Sequence, residues 1–209
     1  MSEHNILGAV LAGGQSKRMG RDKLFLEINN KKLIEHTIDK VKKYFKKTII
    51  VTNQKNEFFT RNKLTTVNDC IEGQLGPLVG ILTAMKWAKE NITNCEWVAT
   101  FPCDTPFFPE ILVKNFIEES KKKESLILCA SSHGRNHNIF GLWSLNLYEK
   151  LQDDLVNKKI RKVQDWTEKN NIKNLEFEFK DYDPFFNINT EEDLEFAKKL
   201  SKKIKNEEK

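Results

Sequence analysis

The stretch Leu11-Ala12-Gly13-Gly14-Gln15-Ser16-Lys17-Arg18-Met19-Gly20-Arg21-Asp22-Lys23 sets paired glycines among cations, a combination suited to gripping phosphate. Glycine has no Cβ, so the backbone here can approach a triphosphate closely enough for its N–H groups to point at oxygen. Arg18 and Lys23 add positive charge. The spacing matches neither common nucleotide signature. Gly20 is not followed by Lys-Ser/Thr, and Gly13, Gly14 and Gly20 do not form G-x-G-x-x-G. A basic strand-to-helix turn that holds no ligand is the competing reading.

Asp104, in Pro102-Cys103-Asp104-Thr105-Pro106-Phe107, is the chain's best metal candidate. Mg²⁺ takes one or two carboxylates together with substrate phosphate oxygens and water, and an aspartate between prolines is rigidly aimed. The same residue would serve as an Asx turn or cap before a helix expected near Pro109. Asn53, at the end of a strand candidate, could read a base or ribose, or simply turn the chain. Gly76, ahead of Pro77, would leave helix amides free for an anion or form a tight packing turn. No nucleophile–histidine pair is expected to do the chemistry. His133 and His137 have the spacing of a zinc-protease pair, but Gly134 occupies a position between them where such a helix carries glutamate, so zinc is not expected.

These residues need a scaffold that brings strand ends together. Ile6-Leu7-Gly8-Ala9-Val10-Leu11 is an almost wholly apolar run, as expected of a central parallel strand buried on both faces. Further strand runs are expected at 48–52, 64–67, 96–101, 125–130 and 139–143, and an alternating, half-exposed one at 175–179. Helical spacing links Leu33, Ile34, Thr37, Ile38, Val41 and Phe45, and again Ile81, Ala84, Met85 and Ala88. Residues 145–155 and 163–169 look helical, and Thr190 with Asp193 approximates a capping box before Leu194, Ala197, Leu200 and Ile204. Asn29-Asn30 makes a turn, and 131–138 is expected as a polar loop. Alternating strands and helices predict an α/β chain around a mostly parallel sheet, with ligands at the carboxyl ends of the strands.

The 209 residues fit one domain, 39% hydrophobic and 31% charged. No segment is apolar for long enough to span a bilayer, and Ile6–Leu11 lacks the preceding basic residues of a secretion signal. Cys70, Cys95, Cys103 and Cys129 are widely separated, as expected of reduced thiols in a cytoplasmic protein. The net charge of +5 suits an anionic ligand, but much of the lysine falls in helical runs such as Lys121-Lys122-Lys123, so neither nucleic acid nor membrane is an expected partner.

Four blocks in order make the sequence resemble the molybdenum cofactor guanylyltransferases, members of the nucleotidyltransferase family. They are Leu11-Ala12-Gly13-Gly14 through Arg18-Met19-Gly20 and Asp22-Lys23; Asp69 with Gly76-Pro77-Leu78 and Gly80; Pro102 through Phe107; and Phe186-Asn187-Ile188-Asn189-Thr190. Relatives that use CTP tend to carry Leu-Ala-Ala-Gly in the first block. The resemblance implies a three-layer Rossmann-like fold with helices on both faces of the sheet. It also implies transfer of GMP from GTP to the phosphate of molybdenum-molybdopterin, with pyrophosphate released. Residues up to about 105 would handle the nucleotide and the remainder the acceptor. On this reading Leu11, Ala12, Gly13, Gly14, Gly76 and Lys23 hold the triphosphate, Asn53 and Asp69 contact the guanosine, and Asp104 ligates Mg²⁺. Arg18 and Lys23 offset charge at the α-phosphoryl group. His137, Asn187 and Asn189 face the acceptor, although relatives usually have His-Pro where this chain has His137-Asn138. GTP and molybdenum-molybdopterin are the partners implied, with an accessory GTP-binding protein and recipient molybdoenzymes as further candidates. A CTP- or sugar-phosphate-using relative, or a non-catalytic nucleotide-binding module, are the alternatives.

Overall fold

In the computed structural model, which describes residues 5–13, 23–73 and 76–207, the first apolar run forms strand β1 (Ile6–Leu11), buried along its whole length. After a short helical turn at Lys23–Phe25, strands β2 (Glu27–Ile28) and β3 (Lys31–Lys32) make a hairpin. Its turn residues Asn29 and Asn30 both take positive φ, a conformation asparagine tolerates better than most residues. Helix α1 (Leu33–Tyr44) follows, its first turn closed by the Lys32 amide donating to the Glu35 carboxylate at 2.8 Å. The chain then runs through β4 (Thr48–Val51), α2 (Glu57–Arg61), β5 (Thr66–Val67), α3 (Pro77–Asn91), β6 (Trp97–Pro102) and α4 (Glu110–Lys122). Strands β7 (Ile127–Ser132) and β8 (Arg135–Ser144), helices α5 (Tyr148–Val156) and α6 (Val163–Glu168), strand β9 (Ile172–Phe177) and helix α7 (Glu191–Glu207) complete it.

The seven-stranded sheet has the order β5-β4-β1-β6-β8-β7-β9, and every strand but β8 runs in the same direction. Strand alternation divides the core. Val10, Ile50, Phe101 and Leu128 join Ile38, Val41, Val113 and Phe116 of α1 and α4 on one face. Leu7, Ala9, Ile49, Val98 and Cys129 join Leu82, Met85, Leu151 and Trp166 of α3, α5 and α6 on the other. Helices therefore cover both faces, as the fold class required. A third cluster, containing Leu26, Ile28, Leu33, Ile188, Leu194 and Ala197, ties α7 to the β2–β3 hairpin.

The polar stretch expected as a loop at 131–138 is mostly strand. β7 continues through Ser132, β8 starts at Arg135, and only His133 and Gly134, with φ of 49° and 73°, make the turn. The ladder then slips: Ala130 pairs with His137, whereas Cys129 pairs with Gly141. Asn138, Ile139 and Phe140 bulge out of the β7 pairing, and the bulge drives Phe140 into the core against Phe101, Phe108 and Phe185. Strand β9 starts at Ile172 instead of near residue 175, because its register is set by parallel pairing with β7 and not by its own alternation.

Two local features yield measurable consequences. Gly76, at the start of α3, has φ 82° and ψ −176°, a region that only glycine enters without strain. Gly76→Ala is expected to cost about 1–3 kcal/mol of stability in chemical denaturation. His36, on α1, donates from Nε2 to the Ile28 carbonyl at 3.1 Å, and burial holds its pKa below the ordinary 6.5. The unfolded chain therefore takes up a proton first as pH falls, and stability present above the ordinary pKa is lost as pH drops through the folded one. His36→Gln, which stays neutral, should lose less melting temperature than the native chain between about pH 7 and about pH 5.

Candidate active site at the carboxyl edge of the sheet

Strands β1 and β6 are neighbours, with Leu11 opposite Pro102. The Cys103 amide donates to the Leu11 carbonyl at 3.2 Å, and the Ala12 amide to the Val51 carbonyl at 2.9 Å. Gly13 and Asp104 therefore leave adjacent strands at the same edge. The chain proceeds from β1 to β4 and β5 on one side and returns to β6 on the other, so this edge is a topological switch point, where open α/β sheets bind ligands. Gly13 is exposed, and a Cβ added to it would meet nothing within 4 Å. Packing does not demand glycine there; the open space in front of it suits a ligand that comes close to the backbone. Leu11 and Ala12 are buried beneath that space. Gly14 and Arg18 lie outside the described residues.

Lys23 and Asp104 meet in this space. The ammonium donates to Asp104 Oδ2 at 2.8 Å and to Asn189 Oδ1 at 2.7 Å, with side-chain exposures of 12% for Lys23 and 25% for Asp104. Residues 183–189 run along the edge as a strap tied at several points. Ser132 Oγ approaches Asp183 Oδ1 at 3.4 Å, Thr105 Oγ1 donates to Asn187 Oδ1 at 2.7 Å, and the Ile188 amide donates to the Asp104 carbonyl at 2.9 Å. The capping box before α7 holds the strap's far end. Asp193 Oδ2 accepts from the Asn189 and Thr190 amides, and Thr190 Oγ1 accepts from the Asp193 amide. Asn187 and Asn189 are exposed, while Ile188 between them is buried.

At the β4 and β5 ends, Asn53 and Asp69 grip each other. Asn53 Nδ2 donates to Asp69 Oδ2 at 2.8 Å, and the Asp69 amide donates to Asn53 Oδ1 at 2.9 Å. The next residue is anchored as well, the Cys70 amide donating to Thr83 Oγ1 of α3 at 2.9 Å. Gly80 of α3 packs over Leu11 and Val51, which sets the first turn of that helix, and Gly76 ahead of it, above the ends of β1 and β4. No side chain caps that helix end.

His137, expected to face the acceptor, lies on β8 and is half-buried. Its ring stacks on Phe185 with centroids 4.5 Å apart, and Nε2 lies 2.8 Å from Ser132 Oγ. Half-burial lowers its pKa, and nearby Asp183 opposes that shift. These contacts make His137 a support for the start of the strap. Nearby, Ser131 Oγ and Asn138 Oδ1 are buried without a hydrogen-bond partner. Thr105, Ser132 and Asp183 were not singled out as site residues from the sequence. Thr105 lay in the proline-flanked block beside Asp104, whereas nothing in the spacing linked Asp183 to Ser132.

Among the described residues, no three His, Cys, Asp or Glu side chains gather to hold a metal. The one or two carboxylates that Mg²⁺ takes alongside phosphate oxygens and water could be supplied by Asp104, whose carboxylate is 25% exposed and paired with Lys23, so the residues present fit that cation better than one caged by protein.

Residues 8–171 match the MobA-like NTP transferase domain. A molybdenum cofactor guanylyltransferase of Mesorhizobium japonicum is 37% identical over 200 residues, covering 94% of this chain and 96% of its own. Another, of Nitrobacter hamburgensis, is 34% identical over 93% of both chains. Among solved structures, molybdopterin-guanine dinucleotide biosynthesis protein A of Archaeoglobus fulgidus superposes with a TM-score of 0.75 at 22% identity, over 94% of this chain and 99% of that one. A 4-diphosphocytidyl-2C-methyl-D-erythritol synthase of Anaerococcus prevotii shares the fold at a TM-score of 0.71 and 16% identity. With most of its length matched to the domain and nearly all of it aligned to relatives above 30% identity, the chain belongs to the molybdenum cofactor guanylyltransferase family of MobA-like NTP transferases.

Proposed function

We propose that the chain transfers GMP from GTP to the phosphate of molybdenum-molybdopterin, forming molybdopterin guanine dinucleotide and releasing pyrophosphate. The observation that carries this reading is the meeting of Lys23, Asp104 and Asn189 at the carboxyl edge where β1 and β6 end side by side, the switch point of the sheet. The relatives' shared name supports it.

The acceptor's attacking group is a phosphate oxygen, already a nucleophile, so the protein has no hydroxyl to activate. Catalysis then consists of positioning and charge neutralisation. Backbone from Leu11 to Gly13 lines the approach of the triphosphate, with Lys23 as the cation at its side; Gly14 and Arg18 lie between them in the sequence. Asn53 and Asp69, locked to each other, present a fixed polar edge for the nucleoside. The strap carries Asn187 and Asn189 to the acceptor side of Asp104. Asp104 would hold Mg²⁺, which supplies neutralisation of phosphate charge when bound.

Purified chain mixed with Mg²⁺, GTP and molybdenum-loaded molybdopterin should release pyrophosphate and yield the guanine dinucleotide, with CTP a poor substitute. No product with any nucleotide would end this reading. Asp104→Ala should lower kcat by about a hundredfold or more, on the order of 3 kcal/mol of transition-state stabilisation. The variant should still fold, as its melting curve would show, because the Lys23 ammonium keeps the Asn189 oxygen as a partner. An unchanged rate would remove Asp104 from the metal role. Gly13→Ala should fold as well as the native chain, since its Cβ enters open space, yet weaken GTP binding in calorimetry.

A further inference from the structure

We propose that Thr105 is a positioning residue whose hydroxyl decides which end of the Asn187 amide faces the acceptor. Thr105 is wholly buried beside Asp104, its Oγ1 2.7 Å from Asn187 Oδ1 and 3.3 Å from Asp104 Oδ1. A hydroxyl has one proton to give, and the shorter contact takes it. The acceptor end of the Asn187 amide is thereby held inward, and its NH₂ group is turned toward solvent. Asn189 is fixed in the same sense by a group that allows no choice: the Lys23 ammonium carries donors only, so the oxygen of Asn189 must face it at 2.7 Å.

The backbone holds both amides near Asp104. Ile188 is buried and pinned through its amide to the Asp104 carbonyl, and its neighbours on either side, Asn187 and Asn189, are exposed. Each asparagine is then left with its NH₂ group as the donor it can offer from the strap. That arrangement recognises an anion with several acceptor oxygens, the chemistry of a phosphate monoester. A reversed Asn187 would present a carbonyl oxygen to the same phosphate and repel it. Thr105 thus acts through Asn187, tuning the acceptor step and leaving the nucleotide alone. The ligand assignment rests on the guanylyltransferase reading above; the orientation of Asn187 does not.

Thr105→Val keeps the shape and removes the hydroxyl, while Thr105→Ser keeps the hydroxyl. The expected result for the valine variant is a fall of roughly tenfold in kcat/KM for the molybdopterin acceptor, with the GTP dissociation constant within about twofold of native. The serine variant should recover to within about twofold of native. Independently of turnover, the side-chain amide resonance of Asn187, assigned through Asn187→Asp, should shift in Thr105→Val and return in Thr105→Ser, with melting temperatures confirming that each variant is folded. The proposal is overturned if Thr105→Val matches the native chain in both readouts, if serine fails as badly as valine, or if GTP affinity falls in parallel. Should the native chain make no dinucleotide, the functional reading fails alone, and the amide resonance still decides the orientation of Asn187.

Discussion

A single backbone hydrogen bond, from the Cys103 amide to the Leu11 carbonyl, sets the spatial logic of the protein. It continues the β1–β6 ladder one step past the strands and fixes where each chain leaves the sheet. The residue after Ala12 is glycine and the residue after Cys103 is aspartate, so a bare backbone and a carboxylate emerge side by side. Everything else at the site is built onto that adjacency. Beneath it, Phe101 is fully buried against Phe45, Phe108, Phe116 and Phe140, so the end of β6 stands on tightly packed aromatic rings. Preorganisation of this kind matters most where the chemistry depends on placement and not on a reactive side chain.

The strap is the second device. Residues 183–189 are held from β7 to β6 to the Lys23 turn by four side-chain contacts and one backbone hydrogen bond. Asp183 meets Ser132, Phe185 stacks under His137, Asn187 meets Thr105, Ile188 meets the Asp104 carbonyl, and Asn189 meets Lys23. Strand β8, the one antiparallel member of the sheet, makes room for this. It places the His133-Gly134 turn between the ends of β6 and β7, and its bulge sends Phe140 inward to meet Phe185. The second half of the chain is thereby coupled to the first through backbone and buried contacts.

Much of this was legible in residue order. The apolar runs at β1, β4 and β6 stand out because both faces are buried, and Pro77 marked the start of α3. Asp104 and Lys23 could be singled out because a carboxylate and a cation sat at strand ends beside prolines or glycines. Their pairing with each other could not, because it depends on the three-dimensional adjacency of β1 and β6. The 131–138 stretch misled because its polar residues fill a strand pair, where ladder bonds and not apolar alternation hold the chain; Ser131 and Ser132 are buried all the same. The stacking of His137 on Phe185 was not legible either, because the two rings come from elements far apart in the sequence.

The polarity of the site follows from which donors lie inside it. Lys23 can only donate, and Thr105 gives its proton to the nearer oxygen, so both asparagines of the strap have their carbonyl ends occupied from within. An amide held that way has lost its usual ambivalence and acts as a pure donor toward whatever approaches. Asp104, by contrast, can only accept while ionised, and its carboxylate already faces the Lys23 ammonium. Among the described residues, the strap therefore offers donors, and the Asp104 carboxylate stands opposite them as an acceptor.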